Sequence, residues 1–190
     1  MSHSPLIAAA GAFGRAVRPF LTAVPEHALA VRAGDLWYRW RCDIVGDVRI
    51  VLDTDAVVAG MRSPGGASAA ILRAARQGET TLLLSVALAL EYEAICSEAE
   101  HQLASGLSGR EVDVFVNAVI AMAEPVQTHF LWRPQLRDPG DEMVLEAAVN
   151  GRADALVTFN LRDFGSAPSR FGVDLLLPRE AIGRIRDWEG

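Results

Sequence analysis

The sequence predicts an α/β fold, a parallel sheet of about five strands with helices on both faces. Two observations carry this expectation. From residue 48 onward, short β-branched apolar runs alternate with longer segments of helical periodicity, the pattern that parallel sheets with crossover helices produce. Several of those runs also end in polar or acidic residues, and sheets of this kind place their sites at the C-terminal ends of strands. The 190 residues suffice for one domain with a sizeable core and an appendage, and half of them are apolar, which favours a packed globule over a disordered chain.

The elements follow in order. "VRIVLDTD" at residues 48–55 reads as a buried strand with an acidic end, "SPGG" as a loop, and "ASAAILRAARQG" as a helix stopped by Gly78. "TTLLLS" is the second strand, with Ser85 the N-cap of the helix "VALALEYEAIC". In "SGREVDVFVNAVIAMA", Ser108 and Glu111 have capping-box spacing, and Val112, Phe115, Val116, Val119 and Ile120 share one helical face. "VQTHFLW" is expected as the third strand. "DPGDEMVLEAAVNG" is expected as a helix capped by Asp138, with Pro139 in its first turn and Gly151 beyond its end. "DALVTF" and "VDLLLP" give the fourth and fifth strands, and "REAIGRI" a closing helix.

Residues 1–43 differ from the rest. "SPLIAAAGAFGRAVRPF" is broken by Pro5 and Pro19, so helix there is weakly specified. The region reads as an N-terminal extension, a flexible arm or a misassigned start, and a chain beginning at Asp47 is expected to fold. A secretion signal is disfavoured because the stretch lacks a basic start and runs into Arg15 and Arg18.

Composition narrows the chemistry. No apolar run approaches the roughly 20 residues of a membrane helix, so a soluble protein is expected. Cys42 and Cys96 match no paired-cysteine motif and read as thiols of a reducing cytoplasm. His3, His27, His101 and His129 form no ligand pair and read as structural. All eighteen basic residues are arginine; without lysine, P-loop and Schiff-base chemistry are excluded. The net charge of −6 argues against a broad basic nucleic-acid face but leaves room for local arginines beside an acidic site.

Four acids fall where a doubly wound sheet would gather them. Asp53 ends the first strand, Glu91 lies in the helix after the second, Asp141 opens the helix before the fourth, and Asp163 follows that strand. Clustered carboxylates repel one another unless a cation holds them, and magnesium takes oxygen ligands of this kind. Each acid also has an ordinary structural reading. Asp53 fits a turn with Asp55, Glu91 a solvated helix position, Asp141 the third position of a capped helix, and Asp163 the cap of a short turn.

Taken together, "RIVLDTDAVVAGMRSPGGAS", "LLLSVALALEYEAI", "RDPGDEMVLEAA" and "DALVTFNLRDF" resemble the successive motifs of the PIN-domain nucleases, in the branch similar to toxins of VapBC-like toxin–antitoxin pairs. The resemblance runs from about Val48 to Ile185, and the domain is expected over residues 48–186. It implies a compact three-layer α/β/α fold and a magnesium- or manganese-dependent site that cleaves single-stranded RNA. It implies Asp53, Glu91, Asp141 and Asp163 as the catalytic acids, with Asp53, Asp141 and Asp163 on the metal. Thr158 would orient a neighbouring carboxylate, and Asn160 and Asp55 would support the site. Asp55 stands where the family often has asparagine, and Asn160 where many members have aspartate. Products with 5′-phosphate and 3′-hydroxyl ends, a cognate antitoxin and a homodimer are likewise implied.

For RNA phosphates, Arg62, Arg133, Arg137 and Arg162 lie in loops beside the acidic motifs, with Arg62 and Arg162 foremost. Two other functions fit part of the pattern. "DTD" after a strand also resembles haloacid-dehalogenase-type phosphatases, but these ordinarily need a lysine. A non-catalytic PIN-like module that binds RNA or protein is the other; such modules typically lose an acid, and none is lost here.

Overall fold

The computed structural model describes residues 48–188. The extension at residues 1–43, with His3, His27 and Cys42, lies outside the described residues. The strands are β1 (Val48–Leu52), β2 (Thr80–Ser85), β3 (Glu124–Val126), β4 (Ala155–Val157) and β5 (Asp174–Leu176). The helices are α1 (Thr54–Arg62), α2 (Ala67–Gln77), α3 (Val86–Cys96), α4 (Ala99–Ser105), α5 (Gly109–Met122), α6 (Glu142–Gly151), α7 (Leu161–Phe164) and α8 (Pro178–Trp188), with a 3-10 turn at Pro168–Phe171.

All neighbouring strands pair in parallel, in the order β3-β2-β1-β4-β5. The expected three-layer α/β/α fold is therefore present. The chain builds outward from β1 through β2 to β3, then returns to the other side of β1 for β4 and β5. That reversal puts the topological switch between β1 and β4, where open parallel sheets form crevices at their carboxyl ends. The central strands supply Ile50, Val51, Leu52, Leu83, Leu156 and Val157, each no more than 2% exposed, and strands covered on both faces read as such continuous apolar runs.

Several terminators act as the sequence indicates. Gly78 closes α2 at φ 79° in the left-handed region. The Ser85 hydroxyl accepts from Leu88 N at 3.3 Å, and Ser108 with Glu111 forms the capping box of α5. Val112, Phe115, Val116 and Val119 are buried, with Ile120 half-buried beside them.

Other elements depart from expectation. Helices α1 and α4 have no counterpart in the expected order. Helix α1 begins directly after the strand, and its Ala56, Val57, Val58 and Met61 are buried, so a nearly continuous apolar run hides its period. The third strand is Glu124–Val126 rather than residues 126–132. It is an edge strand, where Pro125 and its missing N–H are tolerated.

Beyond that strand the backbone is claimed by α6 side chains. Asn150 Oδ1 accepts from His129 N (3.0 Å) and Phe130 N (3.1 Å). Glu146 receives two guanidinium bonds from Arg133, at 2.7 and 2.9 Å. Glu142 Oε1 accepts from Leu136 N at 2.9 Å and also from Gln135 N. Residues 127–136 thus form a strap fastened along α6 instead of a strand, and Phe130 and Leu131 remain exposed.

Helix α6 itself starts later than expected, at Glu142, with Asp141 as its N-cap. Asp138 organises the preceding turn, its Oδ1 accepting from Gly140 N at 2.8 Å. Gly151 is not beyond the helix but its last residue, and Arg152 makes the stop at φ 53°. A Cβ at position 151 would lie 2.9 Å from Val126 Cγ2 and 3.0 Å from Leu83 Cδ1, so the glycine allows the close approach of α6 to β2 and β3. Gly151→Ala should therefore lower stability by about 1–3 kcal/mol through overpacking, against the roughly 1 kcal/mol gain that helix propensity alone predicts. Urea denaturation decides the sign.

Candidate functional site

The switch point is built from the last residues of β1 and β4. Asp53 N donates to Val157 O at 2.8 Å, which extends the parallel ladder one residue past β1 and sets the Asp53 side chain beside Thr158. Asp53 is 7% exposed. Its Oδ1 accepts from Thr54 N at 2.7 Å, which makes it the N-cap of α1, and its Oδ2 accepts from Thr158 Oγ1, also at 2.7 Å. The ordinary structural reading of Asp53 and a place in the site are thus both compatible with its geometry.

Asp55 follows in the first turn of α1. Its Oδ2 accepts from Phe159 N at 2.9 Å and lies 3.2 Å from Thr158 Oγ1. Its Oδ1 is buried without a hydrogen-bond partner. Burial, then the neighbouring Asp53 charge, push its pKa to about 6. Burial raises that of Asp53 as well, opposed by its bonds from Thr158 and Thr54.

A cleft of about 660 Å³ opens above these residues. Asp53, Asp55, Glu91, Asp141 and Asn160 line it, as does Arg62. Asp141 makes no side-chain bond to the helix it caps. Its pKa is pushed to about 6 by burial, then by the charges of Asp53, Asp138, Asp163 and Asp55. Asp163 is thereby close enough to act on Asp141, although it is not among the residues lining the cleft. A helical turn does begin at Asn160: Asp163 N donates to Asn160 O at 3.3 Å, and Asn160 Nδ2 donates to Asp163 Oδ2.

The arginines separate into different settings. Arg62 lines the cleft. Arg162 is exposed on α7 outside it, and Arg137 is exposed in the loop before α6. Arg133 is engaged by Glu146 and fastens the strap.

Two residues beyond the expected set bear on the site. His101, on the unforeseen α4, lines the cleft with its Nδ1 buried and unpartnered; a lone histidine gives no sequence signal. Tyr92 is fully buried and its hydroxyl donates to Leu52 O, the last carbonyl of β1; its position next to Glu91 was the available hint. Cys96 is a buried free thiol whose pKa burial pushes to about 12, so it is inert.

The family model described as the PIN domain matches residues 49–162, more than half of the chain. The chain belongs to the PIN-domain family. No curated protein and no solved structure matches the chain. The PIN domain is a nuclease-type fold, and the matched span holds Asp53, Glu91, Asp141, Thr158 and Asn160, ending one residue before Asp163. Among the described residues, no helix is long and apolar enough to cross a membrane.

The donor set of this PIN domain is hard carboxylate oxygen, and one of those oxygens, Asp55 Oδ1, is buried with nothing to bond. Among the described residues, no three His, Cys, Asp or Glu side chains are gathered closely enough to form a finished cage. The carboxylate oxygens are of the type that a hard divalent ion such as magnesium takes.

The raised pKa values have a consequence for stability. A carboxylate whose folded pKa exceeds its unfolded value binds more protons when folded, so stability falls as pH rises from about 4 to about 6. In metal-free protein, Asp55→Asn should remove part of that fall, of the order of 1 kcal/mol after solvent screening. Denaturant midpoints at pH 4.5 and 7 measure it, and an unchanged pH slope would place the strain elsewhere.

Proposed function

We propose that the cleft is the active site of a metal-dependent endoribonuclease, and that the protein is the toxin of a toxin–antitoxin pair acting in the cytoplasm. The observation that supports this most is the gathering of Asp53, Asp55 and Asp141 along the cleft, where burial and then the Asp53 charge raise the pKa of Asp55 and Asp141 and no basic side chain counteracts the shift. In this reading Asp53, Asp141 and Asp163 hold magnesium or manganese. When bound, such an ion would supply water activation and charge stabilisation for phosphodiester hydrolysis.

The chain's own groups then have defined tasks. Thr158 orients Asp53, Glu91 supplies a further carboxylate from the α3 wall, and Asn160 offers a neutral oxygen or amide to the outer shell. Asp55 adds charge beneath the site. Arg62 and Arg162 take RNA phosphates, for which guanidinium forks are suited.

An antitoxin segment would bring a basic side chain to the carboxylates and lay an amphipathic stretch beside them. Val86 and Leu90 on α3, 76% and 60% exposed, offer apolar surface for such a segment or for a homodimer. A second reading, a non-catalytic RNA- or protein-binding module, draws on the lack of a finished three-ligand cage among the described residues. Calorimetric titration separates the two, since the module would bind neither manganese nor magnesium.

Purified protein with manganese should cleave unstructured RNA, and chelator should stop it. Asp53→Asn should reduce cleavage by at least about 10- to 100-fold, the usual effect of disturbing a metal site. Asp163→Asn should weaken metal binding and cleavage together, whereas Asn160→Asp should retain both. An Asp163→Asn protein destabilised by about 1 kcal/mol yet fully active would mean that Asp163 only braces the α7 turn through Asn160.

A further inference from the structure

Helix α1 runs the length of the cleft. Thr54 and Asp55, then Val58 and Ala59, then Arg62 and Ser63 all line it, at the three- and four-residue spacing that keeps side chains on one helical face. The polar groups are therefore concentrated at two places along α1. Asp55 stands at its N-terminal end and Arg62 in its last turn, separated by about 10 Å of helical rise. Between them on α1 the lining residues are Val58 and Ala59, and Ile95, Val144, Glu91 and His101 line the cleft from other helices.

Arg62 is exposed and makes no salt bridge among the described residues, although carboxylates line the same cleft. Arg49, Arg133 and Arg184, by contrast, each pair with an acid. The guanidinium thus stands beyond the apolar stretch, with its fork of donors open to a ligand. The C-terminal end of α1 favours a cation there, and an open guanidinium fork suits a phosphate.

We infer that Arg62 forms a second phosphate subsite, so that one RNA strand is held at two backbone phosphodiesters and is cut only at the carboxylate end of the cleft. The inference rests on the ribonuclease reading above and adds a register to it. Ribose and base lie over the Val58–Ala59 stretch of α1, which offers a phosphate no charged group. A separation of about 10 Å corresponds to roughly three rises of a stacked strand at 3.4 Å each, and to fewer in an extended one. The Arg62 phosphate therefore lies one to three linkages from the cut.

The test uses the full-length protein with manganese and a set of unstructured RNA oligonucleotides sharing one cleavage site. In each, a single linkage near that site carries a neutral methylphosphonate. One linkage, away from the cut, should raise KM about tenfold for the wild type when neutralised, as loss of a charged hydrogen bond does, with little change in kcat. Arg62→Ala should show the same rise on unmodified RNA and no further response to that linkage, while Arg62→Lys should recover most of the affinity. Equal responses of wild type and Arg62→Ala at every linkage would overturn the inference while leaving the ribonuclease reading intact. Absence of cleavage for every oligonucleotide would overturn the ribonuclease reading, and the subsite with it.

Discussion

The hydroxyl of Thr158 joins the two strands on which the cleft is founded. It is fully buried, donates to Asp53 at 2.7 Å, lies 3.2 Å from Asp55 and accepts from Asn160 N at 2.9 Å. A hydroxyl carries one hydrogen, so two carboxylates compete for it and the shorter bond belongs to Asp53. Asp55 keeps a backbone donor on one oxygen and nothing on the other, and burial, then the Asp53 charge, push its pKa to about 6. The parallel ladder creates this contest by placing the ends of β1 and β4 side by side. The same hydroxyl carries the geometry forward to α7, because the amide that starts that turn is bonded to it.

Tyr92 ties the opposite wall to the same strand end. Its phenol is buried against Leu52 O, and a buried tyrosine hydroxyl ordinarily needs such a partner. Burial, and then the charges of Asp53, Cys96 and Asp55, hold its pKa well above the usual value, so it remains a donor across the physiological range. Glu91 precedes it on α3. The distance between the Glu91 backbone and the end of β1 is therefore set by a side-chain bond as well as by packing.

Much of this was legible in the sequence because the signals are local. A β-branched run that ends in acids, Gly78 after a helix, and the Ser108–Glu111 pair each act within a few residues. What was not legible depends on partners far away in sequence. Helix α1 is hidden because the side chains that would mark its buried face are followed by neighbours that are buried too. The strand expected at 126–132 has the right apolar content, but Asn150, Glu146 and Glu142 supply its backbone and Arg133 with other bonds. His101 enters the cleft on a short helix that carries no distinct periodicity. The acids themselves were found by order and spacing, whereas the sharing of one hydroxyl between two of them required the fold.

Adjacent acids on one segment receive opposite treatment, and this contrast separates support from site. Glu142 and Glu146 are 2% and 5% exposed, yet both are answered: Glu142 by the amides of Gln135 and Leu136, Glu146 by the fork of Arg133. Asp141 precedes Glu142 directly, is less buried, and caps nothing with its side chain. Were the chain arranged for stability alone, the Arg62 side chain or a backbone amide would be expected near Asp141, since a carboxylate raised by burial and by four neighbouring charges is a standing penalty. The segment has the means to satisfy carboxylates, as Glu142 and Glu146 demonstrate, and half-buried Asp141 makes no side-chain bond to the helix it caps where the cleft opens. Acids raised in pKa at the carboxyl ends of the strands, beside acids of α6 that are fully answered, suit the cationic ligand proposed above.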